Sequence, residues 1–108
     1  MNIVHDADAQ RILAYYESIG RLSRSMVAAA ERADWESLAA GERICGLLIE
    51  RLQAFGDPSE RLCATGRRRR MAILRDVLDD DAAIRRCTEP SLARLDGWLA
   101  RREDARAG

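Results

Sequence analysis

A chain of 108 residues, 47% hydrophobic and 33% charged, has room for one core and no more. Its 18 arginines balance 18 acids, with no lysine and a single histidine, so the formal net charge is zero. Bulk DNA or RNA as the main partner needs a cationic surplus, which is absent. Uncharged stretches stay short, Met26 to Ala30 being one, whereas a membrane span needs about 20 apolar residues. The first eleven residues carry acids where a signal peptide carries bases. The expectation is a cytoplasmic protein with one helical domain over residues 1–108, frayed at 1–7 and 104–108.

Helix formers dominate, strand alternation is missing, and spacing of period 3.6 runs through most of the chain, so the fold is expected to be all-α. The first helix should open at Asp6 or Asp8, either of which can accept from free backbone N–H groups, and run to about Arg32. Ile12, Tyr16, Ile19, Met26, Ala30 and Ala33 then share a face, flanked by Leu13, Leu22 and Val27. Gly20 costs about 1 kcal/mol in mid-helix and implies the close approach of a neighbouring helix.

Asp34 is placed to cap a second helix beginning at Trp35, with Ser37 or Leu38 supplying the N–H. In that helix Leu38, Cys45 and Leu52 recur every seven residues, with Gly41, Leu48 and Phe55 as the second seam. That is the pattern of two long helices packed antiparallel at a shallow angle. A turn of one or two residues at Ala33 and Asp34 forces them side by side. Gly56 ends the second helix as a left-handed cap.

Asp57-Pro58-Ser59-Glu60 reads as a capping box with proline at the first helical position. The third helix that follows begins weakly through Thr65, Gly66 and Arg67–Arg70. Its packing face should start at Met71 and continue through Leu74, Val77 and Leu78, with Ile73 beside it, and Ile84 and Cys87 resume it after Asp79-Asp80-Asp81. Pro90 should kink or restart the helix, leaving an amphipathic last stretch with Leu92, Leu95, Trp98 and Leu99. The architecture expected is a long antiparallel hairpin with a third helix and a kinked C-terminal helix, a bundle of three or four helices.

Catalytic chemistry is thin. Three adjacent aspartates on a helix point about 100° apart and cannot converge on one ion, so Asp79–Asp81 reads as a cap at a helix junction and no metal is expected. His5 has no orienting partner, and no pair of titratable groups is placed to act on a substrate. No cofactor, catalytic residue or enzymatic activity is expected. Cys45, Cys63 and Cys87 are an odd number without a CxxC pair and read as buried or half-buried thiols in a reducing compartment. Four consecutive arginines spread over every face of a helix, so Arg67–Arg70 reads as a solvated, partly acid-paired segment, with docking of an acidic protein surface as the alternative. Trp35 and Trp98 read as core anchors or interface residues.

The order Tyr16-Glu17-Ser18-Ile19, Leu22-Ser23 with Met26, Ala33-Asp34-Trp35-Glu36 and Glu42 resembles the flagellar export chaperone family FliT. Ile73-Leu74, Leu78, Asp80-Asp81-Ala82-Ala83-Ile84-Arg85 and Pro90 with Leu92, Arg94 and Leu95 extend the resemblance over roughly residues 12–99. Arg67–Arg70 has no counterpart in that pattern. The resemblance implies a helical chaperone that holds the filament-cap protein FliD unpolymerised. It also implies delivery to the type III export apparatus through the ATPase FliI and the gate protein FlhA, with the C-terminal helix as regulator, and in some bacteria restraint of the activator FlhDC. The residues expected to bind partners are Ile73, Leu74, Val77, Leu78 and Ile84 as a groove, with Leu92, Leu95, Trp98 and Leu99 as lid or groove wall. The alternative is a homodimeric helical adaptor or regulator that restrains an FlhDC-like activator by protein contact.

Overall fold

The computed structural model describes residues 3–107, with side chains described for residues 7–57 and 60–89. Four helices follow one another: α1 (Ile3–Glu31), α2 (Trp35–Gln53), the single turn α3 (Pro58–Arg61) and α4 (Ala64–Ala107). The fold is all-α.

The hairpin forms as its heptads require. Ile12, Tyr16 and Ile19 of α1 are buried, Ile12 completely, and they pack with Leu52, Leu62 and Ile73. Cys45, Leu48 and Phe55 close over that cluster, and Tyr15 meets the Phe55 ring at 6.1 Å between centroids. A second cluster at the turn end joins Ala29, Ala30 and Leu38, with Met26, Ile84 and Cys87 packed against it. Side chains of this size contribute about 1.5–3 kcal/mol each when fully buried, which makes the two clusters the main source of stability.

Capping at the turn follows the sequence. The Ser37 amide donates to Asp34 Oδ1 at 3.1 Å and the Ser37 hydroxyl to Oδ2 at 2.6 Å. The turn takes three residues, Arg32 to Asp34. Asp34 N donates to Ala29 O at 2.8 Å and Ala33 N to Ala30 O at 3.0 Å. That paired closure requires a left-handed residue, and Ala33 supplies it at φ 57°. Ala33 is therefore exposed at the corner rather than on the buried face of α1.

Other helix boundaries differ from expectation. α1 begins at Ile3, so positions 6 and 8 fall inside it, and Asp8 pairs with Arg61 at 2.8 Å instead of capping. Gly56 does adopt a left-handed φ of 81°. The box at Asp57, however, starts only one turn, and the long helix begins afresh at Ala64. Leu62 explains the break: it turns into the core and is buried there, which the straight continuation of α3 would not allow. The packing face of α4 accordingly starts at Gly66 and Ile73, and Met71 is 46% exposed. Asp79-Asp80-Asp81 lies within α4 and is no junction. Nor does Pro90 start a new helix: α4 runs through it. One lost backbone bond costs about 3 kcal/mol, a local cost that good helix formers on both sides can carry.

α1 and α4 run in the same direction, both antiparallel to α2. Gly20 faces Ile73, where an added Cβ would stand 3.4 Å from Ile73 Cγ2, and Gly41 of α2 is so close to α1 that a Cβ would meet Met26 Cγ at 2.6 Å. α2 and α4 thus each seat on α1 and scarcely touch one another. At about 1.5 Å per residue the 44 residues of α4 span some 66 Å, against some 43 Å for the 29 of α1. With Cys87 level with Ala30, the α4 backbone continues past the hairpin turn, and the molecule measures 78 × 22 × 22 Å.

Candidate functional site: an apolar groove between α2 and α4

The seam between α1 and α4 has two unlike flanks. One is charged and clamps the helices together. Glu17 accepts from Arg69 Nε at 2.6 Å and Nη2 at 2.9 Å, and the Ser23 hydroxyl donates to the buried Asp80 carboxylate at 2.9 Å. The Arg69 guanidinium holds the Glu17 carboxyl below its ordinary range, chiefly through that paired hydrogen bond. Arg21, Arg24 and Asp76 line the same side.

The other flank is open and apolar. Because α2 and α4 do not close on each other, a groove of about 350 Å³ runs between them. Tyr16, Ile19 and Ile73 line it from the buried core, Cys45, Ile49, Leu52 and Gln53 from α2, and Leu74 and Val77 from α4. Ile49 is 44% exposed on one rim, and Leu78 is 68% exposed one residue beyond Val77 on the other helix. Burial pushes the Cys45 thiol up from its ordinary range, so this wall presents a neutral, weakly polar sulfur. At the end marked by Gln53 and Gly56 stands Arg70, whose Nε donates to the Tyr16 hydroxyl at 2.9 Å and whose guanidinium lies 5.4 Å from the Tyr16 ring centre.

The residues expected to bind partners separate accordingly. Leu74 and Val77 line the groove, and Ile73 is buried beneath it at 4% exposure, serving core and floor together. Leu78 stands outside the lining, and Ile84 belongs to the cluster at the turn end. Ile84 is drawn away because it meets Ala29 and Ala30 as α4 follows α1. The side chains of Leu92, Leu95, Trp98 and Leu99 lie outside the described residues. Their backbone continues α4, roughly 22 to 33 Å beyond Val77 along its axis, so closing over the same molecule's groove requires the helix to break.

Sequence reasoning missed the wall contributed by α2 and the floor at Tyr16 and Ile19. Ile49 carried the available signal: it is apolar yet lies off both heptad seams. It also missed the role of Arg70, which is half-buried rather than solvated. Arg69 matches the acid-paired reading, and Arg68 donates to Thr65 Oγ1 at 3.4 Å. Cys45 and Cys87 are half-buried, whereas Cys63 is exposed at the start of α4, where its position ahead of the first turn keeps it at the surface. Trp35 is 44% exposed and so is no core anchor. Among the described residues no group of His, Cys, Asp or Glu could hold a metal ion, and no helix is long and apolar enough to cross a membrane.

Fold and site together define an all-helical protein of three long helices with an apolar trough along one flank. The family model for flagellar protein FliT matches residues 13–106 of the chain. The crystal structure of flagellar protein FliT from Bordetella bronchiseptica is similar, with a TM-score of 0.69 and 30% identity over 81% of this chain and 98% of that one. No curated protein matches the chain. The chain belongs to the FliT family, a family of flagellar export chaperones and not of enzymes.

Proposed function

We propose that this chain is a cytoplasmic export chaperone whose groove between α2 and α4 receives an amphipathic helix of the filament-cap protein FliD. It thereby keeps FliD from assembling before export. The observation that carries the reading is the open apolar lining of Cys45, Ile49, Leu74 and Val77, which core packing leaves partly uncovered above the buried Ile19 and Leu52. An amphipathic helix laid in such a groove removes two or three of its own apolar side chains from water. Each contributes about 1.5–3 kcal/mol before ordering costs, which sets micromolar affinity and permits release. The portion of α4 beyond the hairpin is then free to meet the export ATPase FliI and the gate protein FlhA, the regulatory role assigned to the C-terminal helix.

The test is fluorescence anisotropy with a labelled C-terminal segment of FliD from the same organism. Val77→Asp places a charge in the groove wall and should weaken binding by about a hundredfold while circular dichroism still shows a folded chain at the assay temperature, with a melting point lowered because Val77 packs partly on the core. Undiminished binding by that variant sinks the groove as the cargo site.

A second reading, a homodimeric adaptor that restrains an FlhDC-like activator, draws on Ile44 and Leu47, which are 49% and 59% exposed and stand outside the groove lining. Light scattering across a hundredfold concentration range distinguishes it: a mass fixed at one chain removes the self-association on which it rests.

A further inference from the structure

Two arginines are half-buried among the described residues, Arg61 and Arg70. Arg61 ends on a carboxylate, Asp8, at 2.8 Å. Arg70 ends on a phenol: its Nε–H donates to the Tyr16 hydroxyl at 2.9 Å and its guanidinium carbon lies 5.4 Å from the Tyr16 ring centre. A guanidinium has five N–H donors in a rigid fork, and with Nε taken its two terminal nitrogens can still grip a carboxylate end-on. No acid of the described residues pairs with them, although the neighbouring Arg69 is fully engaged by Glu17. A partly desolvated cation is normally matched by an anion, and none of the described residues supplies one to Arg70. It does supply a fixed position. The Nε bond and the cation–π contact with Tyr16 hold Arg70 at the Gln53 and Gly56 end of the groove, beside an apolar lining.

We propose that Arg70, oriented by Tyr16, is a carboxylate-binding subsite at one end of the groove, and that it selects and orients the bound helix by an acid at the matching end. This rests on the groove reading above and adds a polarity to it. A cation favours the C-terminal end of a helix, where unpaired carbonyls concentrate negative potential. The occupant therefore lies with its C-terminal end at Arg70, antiparallel to α4 and parallel to α2. The anion is a carboxylate, either an acidic side chain in the last turn or the chain terminus itself. Tyr16 is a positioning residue: it keeps the guanidinium from folding out into solvent.

The experiment measures anisotropy with the FliD C-terminal segment as probe, in versions where each Asp or Glu in turn becomes its amide and one where the terminus is amidated. Against the unmodified chain, one version should bind roughly 10- to 100-fold more weakly, as loss of a charge-assisted pair predicts. Which version weakens identifies the side chain or the terminus as the source. Arg70→Gln should show the same loss with the unmodified probe and no further loss with the weakened one. Arg70→Lys, which keeps charge but not the fork, should fall between. If no version differs by more than about twofold against the unmodified chain, the subsite is overturned, whatever Arg70→Gln does to folding. If Arg70→Gln binds every probe normally while Val77→Asp loses binding, the subsite falls and the groove stands. If Val77→Asp also binds normally, the groove itself falls and the subsite with it.

Discussion

Ser23 and Asp80, far apart in sequence, join α1 to α4 through one buried hydrogen bond of 2.9 Å. The Arg24 guanidinium stands 4.0 Å from the same carboxylate, but it is largely in water and contributes little. Asp80 is only 6% exposed, so its desolvation is offset mainly by the Ser23 hydroxyl. Ser23→Ala should lower unfolding free energy by about 1–3 kcal/mol, because it leaves the buried acceptor without its donor. The double variant Ser23→Ala, Asp80→Leu should recover much of that loss, since no unsatisfied polar group remains. Urea denaturation of the three proteins measures both effects.

The glycines of α2 should respond in opposite directions. At Gly41 a methyl group would meet Met26 Cγ at 2.6 Å and Sδ at 3.1 Å, whereas at Gly46 nothing lies within 4 Å. Gly46→Ala should stabilise by about 0.5–1 kcal/mol through helix propensity alone. Gly41→Ala should destabilise by about 1–2 kcal/mol, overpacking being larger than the same propensity gain. Thermal melts side by side check the sign of each.

Cysteine reactivity should rank by environment. The Gly66 backbone N–H directed at the Cys63 sulfur lowers that thiol's pKa; the Thr65 N–H, its own N–H and the Arg67 charge add to this. Cys45 is shifted the other way by burial. At pH 7.5 iodoacetamide should therefore modify Cys63 well before Cys45, and the difference should vanish in 6 M guanidinium. Peptide mass spectrometry over a time course reads the order, and equal rates in the native protein contradict it.

Acid should weaken the fold through two half-buried carboxylates, Asp34 at the hairpin turn and Glu17 on the seam between α1 and α4. Hydrogen bonds from the Ser37 hydroxyl and amide hold Asp34 below its ordinary range, and the Arg69 bond does the same for Glu17. A depressed folded-state value means the contribution is fully present above the ordinary carboxylate range and is lost as pH falls through and below it. Melting temperature should therefore be level near neutrality and decline below about pH 4.5. Asp34→Asn and Glu17→Gln together should lower the neutral plateau and flatten the decline. An unchanged acid slope in the double variant shows that other groups dominate it.

Helical class, the heptad seams of α2, the Asp34 cap and the left-handed Gly56 were legible because each depends on residues within a turn or two of one another. Local spacing and capping chemistry specify such features without reference to the rest of the chain. Where α4 begins was not legible, because Leu62 turns inward to meet Ile12 and Tyr16, residues some fifty positions earlier. Asp80 read as one of three acids capping a helix junction, and only the placement of Ser23 opposite it showed it buried within α4. The groove belongs to the same class of facts. Leu74 and Val77 announced an apolar face on α4, but whether that face meets another helix or water depends on where α2 sits. Gly20 and Gly41 let α4 and α2 each seat closely on α1 rather than on one another, so the flank between them stays open. Periodicity thus determined which side chains leave water; only the packing of helices distant in sequence decided which of them stay partly exposed and which charges stand beside them.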